Sequence, residues 1–263
     1  MFKFPIGFIC GLNQPQLDLA AEIHLDGVQL YMPENGKAPR DMKGEKLARS
    51  KAMLAERGLV VSALCGDIGS YENAERNPAR IDEFKRIVDI AADFDTHVVT
   101  THIGSVPERR DCAEYDNMLE ACREIGDYAH KANVRFAVET GPETAEVLCA
   151  FLDELNNPGA GVNLDPANLV MCSLDDPVKA VYTLRKHIVH THAKDGINIR
   201  PRTATTPWEF RELPLGEGNV DFPAYLKALE DIGFKGFLTI EREVPDNAAD
   251  VRKAAAFLRG IMG

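Results

Sequence analysis

Residues 135–168 read RFAVETGPETAEVLCAFLDELNNPGAGVNLDPAN, and the fold turns on this stretch. It opens with a short apolar run, Arg135–Glu139, continues through a helix-like segment at 144–155, and returns to a second apolar run, Gly161–Leu164. Both runs are almost continuously hydrophobic, as strands buried on two faces are. A strand, a helix and a second strand in this order make one parallel β–α unit.

The unit repeats in both directions. Further apolar runs lie at Ile6–Cys10, Gly27–Tyr31, Val60–Leu64, His97–His102, Ile188–His192 and Phe237–Glu241, which makes eight in all. Helix-like segments fall between and after them, at 15–24, 41–57, 78–94, 112–132, 175–186, 221–232 and 246–261. Pro78, Asp175 and Asp246 stand near helix starts, and Gly58 and Gly233 where helices end. Eight such units with right-handed crossovers close into a (β/α)8 barrel, a TIM barrel of class α/β. An open doubly wound sheet would carry a glycine-rich phosphate loop after its first strand, and Gly11-Leu12-Asn13-Gln14 is not one. No linker or low-complexity stretch marks a second domain, so residues 1–263 are expected to form one barrel with its active site at the C-terminal ends of the strands.

Composition narrows the function. A net charge of -11 argues against nucleic acid and anionic membrane as partners, leaving only a local basic pocket for a small anion. The six cysteines form no CxxC pair and no zinc-finger spacing, and several lie in apolar runs as small hydrophobes. The N-terminal apolar stretch is broken by Pro5, Gly7 and Gly11, too early for a signal peptide, and no run approaches the roughly 18 apolar residues of a membrane helix. A reduced cytoplasm is the expected setting. Barrels of this size commonly form homo-oligomers, but no exposed stripe is legible here.

The chemistry gathers at strand ends. The fifth run ends in Val138-Glu139-Thr140, the sixth in Asn163-Leu164-Asp165-Pro166-Ala167-Asn168, the seventh in His190-Thr191-His192-Ala193-Lys194-Asp195, and the eighth in Ile240-Glu241-Arg242-Glu243. Four consecutive strands thus bring a Glu, an Asp, a His and a Glu to one rim. Three carboxylates converging there repel unless a cation neutralises them. The oxygen-rich set suits one divalent ion, Mn2+ or Mg2+, with Co2+ or Zn2+ as substitutes. Such an ion would leave room for two substrate oxygens and would acidify a C–H beside a carbonyl through an enediolate. Taken singly, Asp165 could instead cap a helix and Glu241 could pair with Arg242. His190 and His192 are expected to point to opposite sides, one into the barrel and one packed against helices.

Taken together, these motifs resemble the xylose-isomerase-like TIM barrels, which include sugar isomerases, ketose 3-epimerases, inosose dehydratases and endonuclease IV. The resemblance covers essentially the whole chain and includes Leu215-Gly216-Glu217-Gly218 and Gly236-Phe237-Leu238-Thr239-Ile240-Glu241. It implies a metal held by Glu139, Asp165, His192 and Glu241, with Glu139 and Glu241 doubling as acid and base on opposite faces of a sugar-like substrate. It implies that His102 contacts substrate, together with Glu146 or Glu143 beyond the fifth strand. Ketose 3-epimerases carry a histidine where this chain has Asn168, and an arginine near but not at Arg200. Asn168 can donate to a hydroxyl but cannot shuttle a proton, so substrate and position of reaction are left open. The function implied is a metal-dependent isomerase or epimerase of a ketose or related keto-polyol. The alternative on the same centre is a lyase, a dehydratase or 3-keto-glycoside-cleaving enzyme, in which His102 or Lys194 supplies an added acid. The endonuclease branch requires extra histidines that Asn168 and Phe210-Arg211-Glu212 do not provide. Trp208, Phe8, Tyr31 and Phe210 are candidates for an apolar wall under a sugar ring, or for loop packing.

Overall fold

The structure is a computed structural model and describes residues 3–203 and 205–263. Its barrel strands are β1 (Ile6–Cys10), β2 (Gly27–Tyr31), β3 (Val60–Cys65), β4 (Val98–Thr101), β5 (Arg135–Glu139), β6 (Ala160–Leu164), β7 (Ile188–Ala193) and β10 (Leu238–Ile240). All neighbours pair in parallel, and β10 returns to β1 through Ile6–Leu238 and Phe8–Ile240, so the sheet closes with no free edge. The eight expected strands are all present, with no end shifted by more than one residue.

Helices α1 (Gln14–Glu22), α2 (Gly44–Ala55), α3 (Asn77–Asp93), α4 (Ala113–Lys131), α5 (Ala145–Leu155), α7 (Pro177–Thr183), α8 (Phe222–Asp231) and α9 (Ala248–Met262) follow the strands. Several begin on a side chain that accepts a hydrogen bond from their first turn: Asn13, Thr144, Asp176 and Asp221. Asp175 is not the cap of α7. Its Oδ2 accepts from the Ala145 N–H at 2.8 Å, tying that turn to the start of α5. Gly58 and Gly233 follow α2 and α8 at φ of 65° and 74°, where a left-handed residue ends a helix. Between barrel and helices the core is apolar and tightly packed. Phe84 of α3 meets Phe136 of β5 edge-on, with ring centroids 5.3 Å apart.

Two features lie outside the expected plan. After β6 the chain makes one short turn, α6 (Pro166–Asn168), and a π-helical turn at Leu169–Ser173. After β7 the long connection is an antiparallel hairpin, β8 (Asp195–Arg200) with β9 (Glu209–Leu213). Among the described residues no helix is long and apolar enough to cross a membrane, and the six cysteines are free.

Candidate metal centre and substrate pocket

Strand parity places the chemistry. Phe136 packs outward on α3, so Glu139 continues the inward row of β5. Asn163 is paired beside Glu139 in the sheet, and Asp165 extends the same inward row of β6. On β7 and β10 the inward rows are His190, His192 and Thr239, Glu241. Residues two apart on a strand share a face, so the expectation that the two histidines diverge is corrected. Both face the barrel interior, with ring centroids 5.7 Å apart. His190 is nonetheless the packing histidine. Its Nδ1 is 2.9 Å from Asn163 Oδ1 and its Nε2 3.1 Å from Thr239 Oγ1, so both ring nitrogens are taken.

The His192 ring is oriented differently. Its Nδ1 lies 3.4 Å from Glu139 Oε1, 3.4 Å from Asp165 Oδ2 and 3.0 Å from Glu241 Oε2. One donor atom from each of the four residues lies within 4.8 Å of every other. The opposite nitrogen, Nε2, is 3.0 Å from Gln29 Oε1, while the Gln29 amide donates to Thr100 Oγ1 at 2.8 Å. An N–H at Nε2 that donates to Gln29 leaves the Nδ1 lone pair facing the three carboxylates, the tautomer a metal ligand needs.

The carboxylates are held from behind as well. Asn163 Nδ2 donates to Glu139 Oε2 at 3.1 Å, and Asn168 Nδ2 to Glu139 Oε1 at 3.2 Å. Asp165 uses its two oxygens separately. Oδ1 caps α6, accepting from Ala167 and Asn168 N–H at 2.7 and 2.9 Å, while Oδ2 faces His192. The capping and ligating readings of Asp165 are therefore compatible. Lys194, buried, sits 3.1 Å from Glu241 Oε2 and 3.2 Å from Glu243 Oε2, whereas Arg242 turns away to Glu212 and Asp250.

Burial disfavours charge throughout this cluster. At Glu139 it is outweighed by His192 and His102, and at Glu241 by His192 and Lys194, so both carboxyls stay lowered. At Asp165 burial prevails and the carboxyl is raised. Burial opposes charge on His192 too, but Glu241 and then Glu139 outweigh it and hold the imidazole well above its ordinary range. Positive charge is thus favoured at the point where the three carboxylates meet the ring. The donor set fits a divalent ion.

Beside the quartet opens a cavity of about 280 Å3, lined among others by Tyr31, Cys65, Asp67, His102 and Glu243. His102 spans it, with Nδ1 3.4 Å from Asp67 Oδ2 and Nε2 3.8 Å from Glu139 Oε1. Its ring is pushed up to about 10, first by the Glu139 charge, with burial opposing and Asp67 adding. Tyr31 also lines the cavity and is half exposed. The other aromatic candidates lie elsewhere: Phe8 is fully buried, Phe210 is exposed on the hairpin, and Trp208 lies under the Arg202 guanidinium.

Of the expected substrate residues only His102 lines the cavity; Asn168 and Lys194 contact Glu139 and Glu241 instead, and the other two are exposed and paired elsewhere. Glu146 is exposed on α5 and pairs with Lys179 at 3.5 Å, and Arg200 is exposed on β8 and pairs with Glu209 at 3.1 Å. Glu143 is buried instead, its Oε2 accepting from the Val106 N–H at 3.3 Å. Three residues escaped the sequence reading. Gln29 and Asp67 are polar residues in or just after apolar runs. Asp195 is buried, and its carboxylate accepts from Gly196, Val220, Gly216 and Gly218 N–H at 2.8–3.1 Å. That hub explains the Leu215-Gly216-Glu217-Gly218 turn, since a Cβ on Gly218 would lie 2.1 Å from Asp195 Oδ1 and Gly216 has φ +88°. The turn in turn fixes Lys194, one residue before Asp195, against Glu241.

Comparisons with known proteins bear on the fold and the family. Across the chain, a 25% identity over 267 residues links it to the L-ribulose-5-phosphate 3-epimerase UlaE of Salmonella heidelberg, covering 94% of this chain and 89% of the relative. A crystallised xylose isomerase domain protein from Planctomyces limnophilus superposes with a TM-score of 0.86 at 26% identity, over 98% of this chain and 96% of that one. A barrel protein from Mycobacterium smegmatis, solved in complex with magnesium, shares the fold with a TM-score of 0.77 at 18% identity, over 99% and 97%. The family model described as xylose isomerase-like TIM barrel matches residues 17–261, and the chain belongs to that family.

Proposed function

We propose that the chain is a divalent-metal-dependent sugar isomerase or epimerase acting on a ketose or related keto-polyol. The observation that carries the reading is the meeting of Glu139, Asp165 and Glu241 around the Nδ1 face of His192, next to a cavity of sugar size. The similarity to an L-ribulose-5-phosphate 3-epimerase supports the substrate class, and a magnesium-bound relative supports a hard divalent ion.

Glu139, Asp165, His192 and Glu241 would hold the ion, Mg2+ or Mn2+ before Co2+ or Zn2+, and it would supply Lewis acidity toward two adjacent substrate oxygens. The chain's own residues do the rest. Glu139 removes the proton beside the substrate carbonyl, and Asn163 and Asn168 fix its two oxygens while it does so. On the other face Glu241 relays to carbon a proton from the Lys194 ammonium 3.1 Å away, and exchange with water then restores the proton on Lys194 and removes the one on Glu139. His102, oriented by Asp67, reaches the substrate oxygens from the β4 side. Asn168, committed to Glu139 and to the Thr140 carbonyl, positions the base rather than shuttling protons.

The test is proton NMR in D2O of metal-loaded protein with ketoses, 3-keto-glycosides and inososes, with and without chelator. Chelator-sensitive deuterium uptake beside the carbonyl, with a new epimer or aldose, is the expected result. Loss of water or an aglycone would replace the isomerase by the lyase, for which the Asp67–His102 pair is the ready acid. No exchange with any ketone in metal-loaded protein would overturn the substrate class.

A further inference from the structure

A second set of metal-ligating side chains lies at the opposite end of β7. Cys149 and Asp153 are four residues apart on α5 and therefore share a helix face, and His187 stands in the turn that leads into β7. His187 Nε2 is 2.9 Å from Asp153 Oδ1, and Cys149 Sγ is 3.8 Å from Asp153 Oδ2. One donor atom from each of the three lies within 4.8 Å of the others. Five residues of extended strand separate His187 from His192, about 17 Å, so this cluster is independent of the rim.

We propose that Cys149, Asp153 and His187 form a binding site for one thiophilic divalent ion of the zinc or cobalt class, clipping α5 to the α7–β7 turn. The donor chemistry is the first argument. A sulfur, an imidazole nitrogen and one carboxylate oxygen are the zinc repertoire, whereas the rim, with three carboxylates, suits a harder ion. The two sites thus sort metals by softness.

Geometry is the second argument. Tetrahedral bonds of about 2.0–2.3 Å set donors roughly 3.3–3.7 Å apart, and one donor atom from each of the three already lies within 4.8 Å of the others, so a shift of about an ångström closes the set. Two of the three ligands are held in place. The His187 backbone N–H donates to Leu184 O and its carbonyl accepts from Val162, and the Cys149 thiol lies 3.5 Å from Thr183 O. Asp153 is the exposed member and can swing by the ångström needed. A water completes the fourth position. Without a metal the Asp153–His187 pair accounts for two of the residues, and the Cys149 thiol packs on the core and donates to Thr183 O and Asp153; the metal reading gives all three one role. A reactive thiol is a poorer account, because burial and then the Asp153 charge raise the Cys149 pKa and disfavour free thiolate.

The experiment uses the whole protein in saturating Mg2+ with a phosphine reductant, titrated with Co2+ and read by near-ultraviolet and visible absorbance. One equivalent of cobalt is expected to give a thiolate-to-metal charge-transfer band. Cys149→Ser should lose the band and that equivalent, and His187→Ala should weaken binding at least about tenfold, both with unchanged circular dichroism. Glu139→Gln, at the rim, should leave the band in place. Absence of the band in the wild type overturns the proposal. So does a band that survives in Cys149→Ser, because the sulfur would then be another one, such as Cys10 or Cys65, which line the rim cavity.

Discussion

The barrel rim has two unlike halves. Strands β5, β6, β7 and β10 lead to Glu139, Asp165 and His192, all buried, and to Glu241, largely so, each tied to at least one neighbour. Strands β1, β2 and β3 end in Cys10, Tyr31 and Cys65, uncharged side chains that line the other wall of the same cavity. His102 and Asp67 stand between them. The difference is a division of labour. Fixed charge is expensive to bury, so it is collected where each carboxylate can share a cation or a donor, and the remaining wall is left neutral for the body of a ligand. Chemistry should therefore be lost by changes on one half, and selectivity altered by changes on the other.

The sharpest break between the halves is expected from Glu241→Gln set against Tyr31→Ala. Glu241→Gln keeps the shape but removes both a ligand charge and a proton donor, and substrate deuterium exchange should fall at least about a thousandfold, roughly 4 kcal/mol. Tyr31→Ala should raise KM less than about tenfold and leave metal affinity unchanged. Exchange rates and metal titration of the two variants check this. If Glu241→Gln keeps exchange within tenfold, or if Tyr31→Ala loses the metal, the division does not hold.

The same asymmetry governs what the sequence discloses. Strands of the barrel are buried on both faces, so each stands out as an apolar run, and the charged half is legible because its carboxylates and histidine terminate those runs. Glu139, Asp165 and Glu241 need only their neighbours in sequence to be noticed. His190 was misplaced because the period of a strand is two, and only the contacts to Asn163 and Thr239 show that it is saturated. The hairpin of β8 and β9 mixes polar and apolar residues, and its alternation of Ile197 and Ile199 is too short to separate from a loop. Gln29 and Asp195 could have been flagged as buried-looking polar residues without an obvious partner. Their partners, His192 in one case and Gly216 and Gly218 in the other, lie 163, 21 and 23 residues away, and no local pattern announces contacts of that range.

Glu143 sharpens the comparison from inside the charged half. It lies four residues beyond Glu139 but is held by backbone N–H groups, with the His102 charge a lesser influence, and one of its oxygens is buried without a partner. Burial accordingly raises its carboxyl to about 7, with backbone hydrogen bonds opposing. The folded chain then holds this proton more tightly than the unfolded chain, so the group favours folding below pH 4.5 and loses that contribution as pH rises from 4.5 to 7. The loss amounts to about 3 kcal/mol. Glu143→Gln cannot titrate, so the stability difference between variant and wild type should shift in the variant's favour by that amount between pH 4.5 and 7.5. Urea unfolding at several pH values measures it. A difference independent of pH would mean that Glu143 is already ionised in the fold.

The smallest expected effect crosses the divide. Gln29 belongs to the neutral half, on β2, yet its oxygen reaches the Nε2 of His192 on β7 at 3.0 Å, through the barrel interior. Its amide is anchored in turn by Thr100 of β4. If the acceptor at Nε2 is what keeps the Nδ1 lone pair toward the carboxylates, Gln29→Met should retain volume and fold while releasing the ring. Metal affinity should then drop by about 10- to 100-fold, roughly 1.4–2.7 kcal/mol, less than removal of a ligand. Calorimetric titration with Mn2+ gives the affinity, and the 15N shifts of the His192 ring give the tautomer directly. Both should move together. Affinity unchanged within threefold, with the ring still protonated at Nε2, would show that Asn163 and the carboxylates orient His192 by themselves, and that the two halves of the rim are independent after all.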